Sequence, residues 1–209
     1  MNSIQQALEA KRFAFMVEMV ASAKTTEEKI VEMAQGIVTI PGVVGAGITS
    51  YAGGSAGHDP IRIAELVKPT GLTPNVHITC VNQSRADQIK RLQRVHELGI
   101  ENVFAISGDY PLGATSADYD LDSVQLASMI AEMRDKGFPF YISVAVSPFK
   151  YTKADCAYQY LKLEKKIAAG ADFAITQLGY DAKKIRELKR YLDERGLKTP
   201  VFGNVYVLP

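Results

Sequence analysis

The sequence predicts an α/β fold, a (β/α)8 TIM-type barrel with about seven βα units visible, and three observations carry that prediction. Short β-branched or aromatic runs alternate with amphipathic helical stretches along the chain. The runs start roughly 27 to 38 residues apart, the length of a strand, a loop and a crossover helix. Polar residues recur where the runs end, and barrel chemistry gathers at the C-terminal ends of strands. An open doubly wound sheet shares the alternation but has no fingerprint here. GAGITS at Gly45 lacks the last glycine of a dinucleotide motif, and there is no G-K-[ST] phosphate loop.

Taken in order, Met1 to Arg12 reads as a polar helix without the apolar core of a signal peptide. The runs begin near Phe13 (FAFMVEMV), Val43 (VVGAGIT), Asn75 (NVHITC), Asn102 (NVFAIS), Phe140 (FYISVAV), Asp172 (DFAITQL) and Pro200 (PVFGNVYVL). Between them, the stretch from Thr25 carries Ile30, Val31, Met33, Ala34 and Ile37 at helical spacing, with Thr25 or Thr26 and Glu28 as a cap. Ser84 to Leu98, Leu121 to Lys136, Thr152 to Ala169 and Ala182 to Arg195 read likewise as helices. Gly99, Gly137, Gly170 and Gly196 stand where left-handed helix ends are needed. Seven strands leave the first and last as unpaired edges. The expectation is one (β/α) barrel domain over residues 1–209 that lacks its last strand-helix unit.

The chain has 209 residues, 47% hydrophobic, enough to bury a core without disulfides. Lys plus Arg number 24 against 23 Asp plus Glu, so no net field invites nucleic acid or an anionic membrane. Cys80 and Cys156 lie far apart with no metal-ligand spacing around them. A reduced, cytoplasmic setting is expected, with no metal site and no membrane span.

Candidate site residues follow from polarity at strand ends. Glu18 shares a strand face with Ala14 and Met16, opposite Phe13, Phe15, Val17 and Met19. Enclosed by apolar neighbours, a carboxylate favours its protonated form and can deliver a proton; at the rim it is a solvated charge. Asp109, in ISGDYP, follows its strand directly beside Gly108, which lets backbone approach a ligand; ordinary turn chemistry explains the pair equally well. Thr49, His77 and Thr79 end the second and third strands. Gln177 offers donors and an acceptor without charge, suited to a heterocycle edge. Lys162, Lys165 and Lys166 share one helix and are either an anion site or a solvated face. The loop from Gly108 to Asp120 is long enough to cover a ligand.

HITC (His77–Cys80), ISGDYP and the stretch LKLEKKIAAGADFAITQLGYD together resemble the methylenetetrahydrofolate reductases, a family of flavin-dependent (β/α)8 barrels. The last stretch is the most specific part, supplying Lys166, Ala169, Gly170, Ala171, Ile175, Thr176, Gln177, Tyr180 and Asp181. The resemblance implies that Glu18 and Asp109 are catalytic, the first as the acid that opens the folate's five-membered ring to an iminium. It implies that Thr49, His77, Tyr119 and Lys166 contact FAD, and that Gln177 reads the substrate. The implied reaction is reduction of 5,10-methylenetetrahydrofolate to 5-methyltetrahydrofolate with NAD(P)H, by way of bound FAD.

The chain departs from the family at three places. Met19, Val20, Ala21 and Ser22 replace Phe-Phe-Pro-Pro; Ser107 replaces an Arg before the Gly-Asp turn; Ser147, Pro148 and Phe149 replace Tyr-Pro-Glu. Loss of an Arg–phosphate fork weakens the case for FAD, since Lys162 and Lys165 supply only point charges. A second reading is therefore a non-catalytic or partner-dependent barrel subunit binding folate or flavin, and a third is a pterin-dependent methyltransferase barrel. The expected partners are folate and NAD(P)H, with a homo-oligomer or hetero-complex and neither nucleic acid nor membrane.

Overall fold

Seven parallel strands curl into a nearly closed barrel, in a computed structural model that describes residues 1–50, 57–109 and 116–206. Much of the expected covering loop, from 110 to 115, lies outside the described residues. The strands are β1 Phe15–Met19, β2 Val43–Ile48, β3 Pro74–Thr79, β4 Asn102–Ile106, β5 Tyr141–Val146, β6 Phe173–Thr176 and β7 Val201–Phe202. Each pairs in parallel with the next, and among the described residues β1 and β7 have a neighbour on one side only. The unpaired edges expected from a seven-strand count are therefore present.

The helices are α1 Ser3–Glu9, α2 Glu27–Val38, α3 Pro60–Val67, α4 Arg85–Glu97, α5 Ser123–Asp135, α6 Lys153–Ala168 and α7 Ala182–Glu194. Capping follows the sequence. Thr26 Oγ1 accepts the Lys29 N–H at 3.3 Å, and Asp122 with Gln125 forms a reciprocal capping box. The four glycines expected at helix ends all have positive φ, from +64° to +108°. α3 is an addition to the sequence reading. Asp59 caps it, Pro60 opens it, and its buried residues Pro60, Ile61, Ile63, Ala64 and Val67 share one face, a stripe only two turns long. No helix among the described residues is long and apolar enough to cross a membrane.

Strand alternation sorts side chains into two cores. The outward faces of the sheet pack with the helices, bringing Ile48, Val76, Ile78, Val103, Val144 and Val146 against Ile30, Leu92, Ile130 and Leu163. The inner core is smaller: Ile4, Phe104, Phe173 and Ile175, with Met16, Val44, Tyr141 and Phe202 packed around them. Ile4 belongs to α1, so the short N-terminal helix closes the lower end of the barrel. Gly45 permits this, because a methyl group there would lie 2.6 Å from the Thr73 carbonyl and 2.8 Å from Ile4 Cδ1. Ser3 Oγ donates to the Val44 carbonyl at 2.6 Å and Asn2 Nδ2 to Glu101 Oε2 at 2.8 Å, fixing the helix across strands.

Of the polar groups in this lower half, Asn75 and Ser143 are paired, whereas Asn102 Oδ1 is buried without a partner among the described residues. Asn75 Nδ2 donates to Ser143 Oγ at 3.0 Å, and that hydroxyl lies 3.0 Å from the Val103 carbonyl it donates to. Replacing Ile4 with Ala removes the plug's only fully buried large side chain among the described residues. The expected cost is about 2–5 kcal/mol, read as a lower urea midpoint with an unchanged slope.

Candidate active site

Above the inner core the barrel opens into a cavity of about 1600 Å³ at the C-terminal ends of the strands. Six of the seven residues expected from sequence line it: Glu18, Thr49, His77, Asp109, Lys166 and Gln177. Tyr119 is not among the lining residues; it is partly exposed on the segment leading to α5. The cavity also runs along the free edges of the sheet. Consecutive residues of β1, Phe15 to Glu18, line it, as do Val201 to Val205.

Register explains the pair at the β1 exit. Glu18 aligns with Gly47 and Met19 with Ile48, so Thr49 stands one step beyond, where its Oγ1 donates to Glu18 Oε1 at 3.1 Å. Alternation places Glu18 on the inner side with Met16, as expected. Its depth differs from expectation: Glu18 is solvent-exposed, not enclosed by apolar neighbours. The strand period decides which side a residue takes, and the height along the barrel axis decides how much water it meets.

His77 forms the cavity floor. It is buried, lies edge-on to Phe104 with ring centroids 4.8 Å apart, and burial pushes its imidazole down to about 4. It is thus a neutral group below the charged rim. Lys166 reaches in from α6 and is buried, donating to the Ala145 carbonyl at 2.7 Å. Burial, reinforced by the Lys162 charge, lowers its ammonium to about 8. Of the three lysines considered together, Lys162 and Lys166 line the cavity and Lys165 is exposed outside its lining.

Sequence reasoning missed other lining groups. Lys150, Tyr158 and Gln159 bring the β5–α6 connection and the first half of α6 to the cavity wall. Asn204 follows β7, tied to β6 by its N–H, which donates to Thr176 Oγ1 at 2.8 Å. Arg12 adds a cation on the β1 side, where only a polar helix end was legible. Both carboxylates thus face one cavity that also holds Arg12, Lys150, Lys162 and Lys166. That set suits an anionic ligand whose reacting end carries positive charge.

With this geometry, the comparisons become specific. A profile of the methylenetetrahydrofolate reductases matches residues 3–208. The chain belongs to the methylenetetrahydrofolate reductase family. A probable methylenetetrahydrofolate reductase (NADPH) of Caenorhabditis elegans is 30% identical over 148 residues, covering 68% of this chain and 21% of that protein. The 5,10-methylenetetrahydrofolate reductase of Salmonella typhimurium is 34% identical over 138 residues, 65% of this chain and 44% of that one. The chain therefore spans less than half the length of these curated relatives. Among solved structures, an uncharacterized Clostridium thermocellum protein that binds two copies of 5-methyl-5,6,7,8-tetrahydrofolic acid superposes with TM-score 0.64 at 17% identity. That match covers 95% of this chain and 68% of the other. A 2,3-dimethylmalate lyase superposes with TM-score 0.65 at 10% identity, over 96% of this chain and 77% of the other. Both structures share the fold.

Eight of the nine residues named in the most specific stretch of the methylenetetrahydrofolate reductase resemblance divide into two groups, and the ninth, Tyr180, is exposed outside the cavity lining. Lys166, Ile175, Thr176 and Gln177 line the cavity. Ala169 and Gly170 end α6, Ala171 is buried, and Asp181 caps α7 by accepting the Lys183 N–H at 2.8 Å. The motif is therefore half site and half scaffold.

The buried imidazole sets a pH dependence. His77 is held near 4 against an ordinary 6.5, so between these values the unfolded chain binds a proton that the folded chain refuses. Stability falls as pH drops through that window, by up to about 1.4 kcal/mol per pH unit. Urea unfolding of His77→Gln across pH 4 to 7 is expected to show a shallower slope than the parent, whatever its absolute stability.

Proposed function

We propose that this barrel reduces 5,10-methylenetetrahydrofolate to 5-methyltetrahydrofolate, with FAD bound in the same cavity and NAD(P)H as the reductant. The observation that carries the reading is that Glu18, Asp109 and Gln177 line one cavity together with a set of cations. The family's known chemistry needs an acid, a second carboxylate and an amide at one pterin.

Thr49 occupies Glu18 Oε1 as a donor, which leaves Oε2 for the proton that Glu18 delivers. Folate seated over Glu18 excludes water from a carboxylate that is otherwise exposed, and so supplies the desolvation that the chain alone does not. The proton goes to the folate nitrogen whose bond to the one-carbon bridge breaks, and the other nitrogen and the bridge carbon become an iminium. Asp109 stabilises that cation and accepts hydrogen bonds from the pterin, while Gln177 offers a donor and an acceptor to its edge. Hydride on the iminium carbon and the delivered proton together account for the two hydrogens gained by the product.

A flavin supplies the hydride when bound. The lining fits such a group in two respects. The volume exceeds the roughly 300–1,000 Å³ usual for one ligand, leaving room for cofactor and substrate together. Lys150, Lys162 and Lys166 would supply the cations that a diphosphate needs, with neutral His77 below. A cytoplasmic setting accords with two free, buried cysteines, Cys80 and Cys156.

The unpaired edges of β1 and β7 favour a second reading, a barrel that acts only when another polypeptide completes its sheet. Absorbance near 450 nm separates the two: a yellow protein bleached by NAD(P)H supports the first, and activity gained only on adding a partner supports the second. Glu18→Gln is expected to slow folate reduction about 10²–10⁴-fold while flavin reduction by NAD(P)H stays at the parent rate. Stopped-flow of the two half-reactions checks this, and equal loss in both would remove Glu18 as the acid.

A further inference from the structure

The long connection from β4 to α5 leaves the barrel at Ser107 and Gly108, carries Asp109 at its start, and returns at Asp118. Three consecutive residues after β3 hold both ends of it. Cys80 N–H donates to the Ile106 carbonyl and Val81 N–H to the Ser107 carbonyl, each at 3.0 Å, extending the β3–β4 ladder past the strands. At the next residue the chain turns. Asn82 adopts φ +52°, in the left-handed region that asparagine tolerates better than most side chains. Its N–H then donates to the Asp118 carbonyl at 2.8 Å, and its Oδ1 accepts the Asp118 N–H at 3.0 Å.

Asn82 thus grips both polar groups of one distant peptide position, one residue after the ladder has fixed the loop's exit. The base of the loop is pinched between these contacts. Beside the pinch, Gly108 packs directly on Val81: a methyl group at Gly108 would lie 2.6 Å from Val81 Cγ1. Asp120 Oδ2 accepts the Arg85 N–H at 2.9 Å, tying the returning strand of the loop to the first turn of α4. Asp109 is the residue immediately after this packed point, and Asn82 and Asp109 line the same cavity.

We propose that Asn82 is a positioning residue for Asp109, a clamp that closes the base of the β4–α5 loop and sets where that carboxylate meets substrate. The proposal rests on the reading of Asp109 given above, and it needs no contact between Asn82 and substrate. A side chain supported at one end only loses the sub-ångström placement that reaction geometry requires.

Two substitutions separate the clamp from backbone strain. Asn82→Gly keeps the left-handed conformation without cost but removes Oδ1; Asn82→Asp keeps an acceptor at the same place. In the ligand-free protein, Asn82→Gly is expected to speed amide exchange at Asp118 by about tenfold or more, and Asn82→Asp to restore protection. With 5-methyltetrahydrofolate as the probe, Asn82→Gly is expected to weaken binding about tenfold. In turnover it is expected to lower kcat/KM by up to about 10²-fold with a loss in kcat, and Asn82→Asp is expected to recover most of both. Unchanged exchange at Asp118 in Asn82→Gly would overturn the clamp. Faster exchange with parental folate affinity and kcat would overturn the positioning role and leave a merely structural contact. The exchange measurement needs no ligand, so parent protein that fails to bind 5-methyltetrahydrofolate would strike at the function reading while the clamp is still decided.

Discussion

A parallel barrel can offer a wet, reactive mouth only if its other end is packed solid, and here that condition is met by one helix seven residues long. α1 inserts Ile4 among Phe104, Phe173 and Ile175, over a strand position where Gly45 leaves no Cβ in the way. Burying such side chains stabilises by roughly 1.5–3 kcal/mol each, so the plug adds to the core as well as sealing it. The seal has a consequence at the next level up. His77 sits just above the apolar layer, and its neutrality follows from that burial. Removing the plug would therefore alter the chemistry of the cavity floor as well as the stability of the sheet.

The charges around the mouth are arranged by unit. Glu18 leaves β1 and Asp109 leaves β4, whereas Lys150, Lys162 and Lys166 come from the β5–α6 unit and Arg12 adds one cation on the β1 side. A ligand with anionic groups at one end and a cationic carbon developing at the other has one favourable direction in such a field. The strand order β1 through β7 fixes this asymmetry, because sequential parallel pairing leaves no freedom to bring α6 beside β1. Under the proposed function, the orientation of the ligand is set first by the topology, and the individual residues tune it.

Much of this was legible in the sequence because local signals and tertiary demands coincide. Helix ends marked by Gly99, Gly137, Gly170 and Gly196, and the cap at Thr26, report backbone conformation directly. What escaped reading depends on depth and reach. α3 carries its apolar stripe over only eight residues, too short a run for the period to stand out, and α1 looked polar because its inward face holds only Ile4, Ala7 and Leu8. Glu18 had the right side of its strand but the wrong depth. Lys166, left by its helix position as either an anion-site or a solvated lysine and placed at FAD by the resemblance, has its ammonium drawn in to the Ala145 carbonyl, while Lys165, one residue earlier on the same helix, is exposed outside the cavity lining. Periodicity assigns faces; it says nothing of how far a long side chain reaches.

The departures from the family's pattern take on physical meaning in this light. Met19 and Ala21 are buried while Val20 and Ser22 are exposed, so the substituted stretch after Glu18 continues an in-and-out alternation past the end of β1. Ser107, standing where the family pattern has an Arg, carries no charge. Its carbonyl serves the ladder to Val81, and in the proposed function its short side chain would leave a cofactor's phosphates to Lys150 and Lys162 on the neighbouring unit. Ammonium groups hold an anion by charge without the paired, planar geometry of a guanidinium. Binding of that kind is screened by salt and tolerant of shape, so the cofactor binding proposed above is expected to weaken as ionic strength rises.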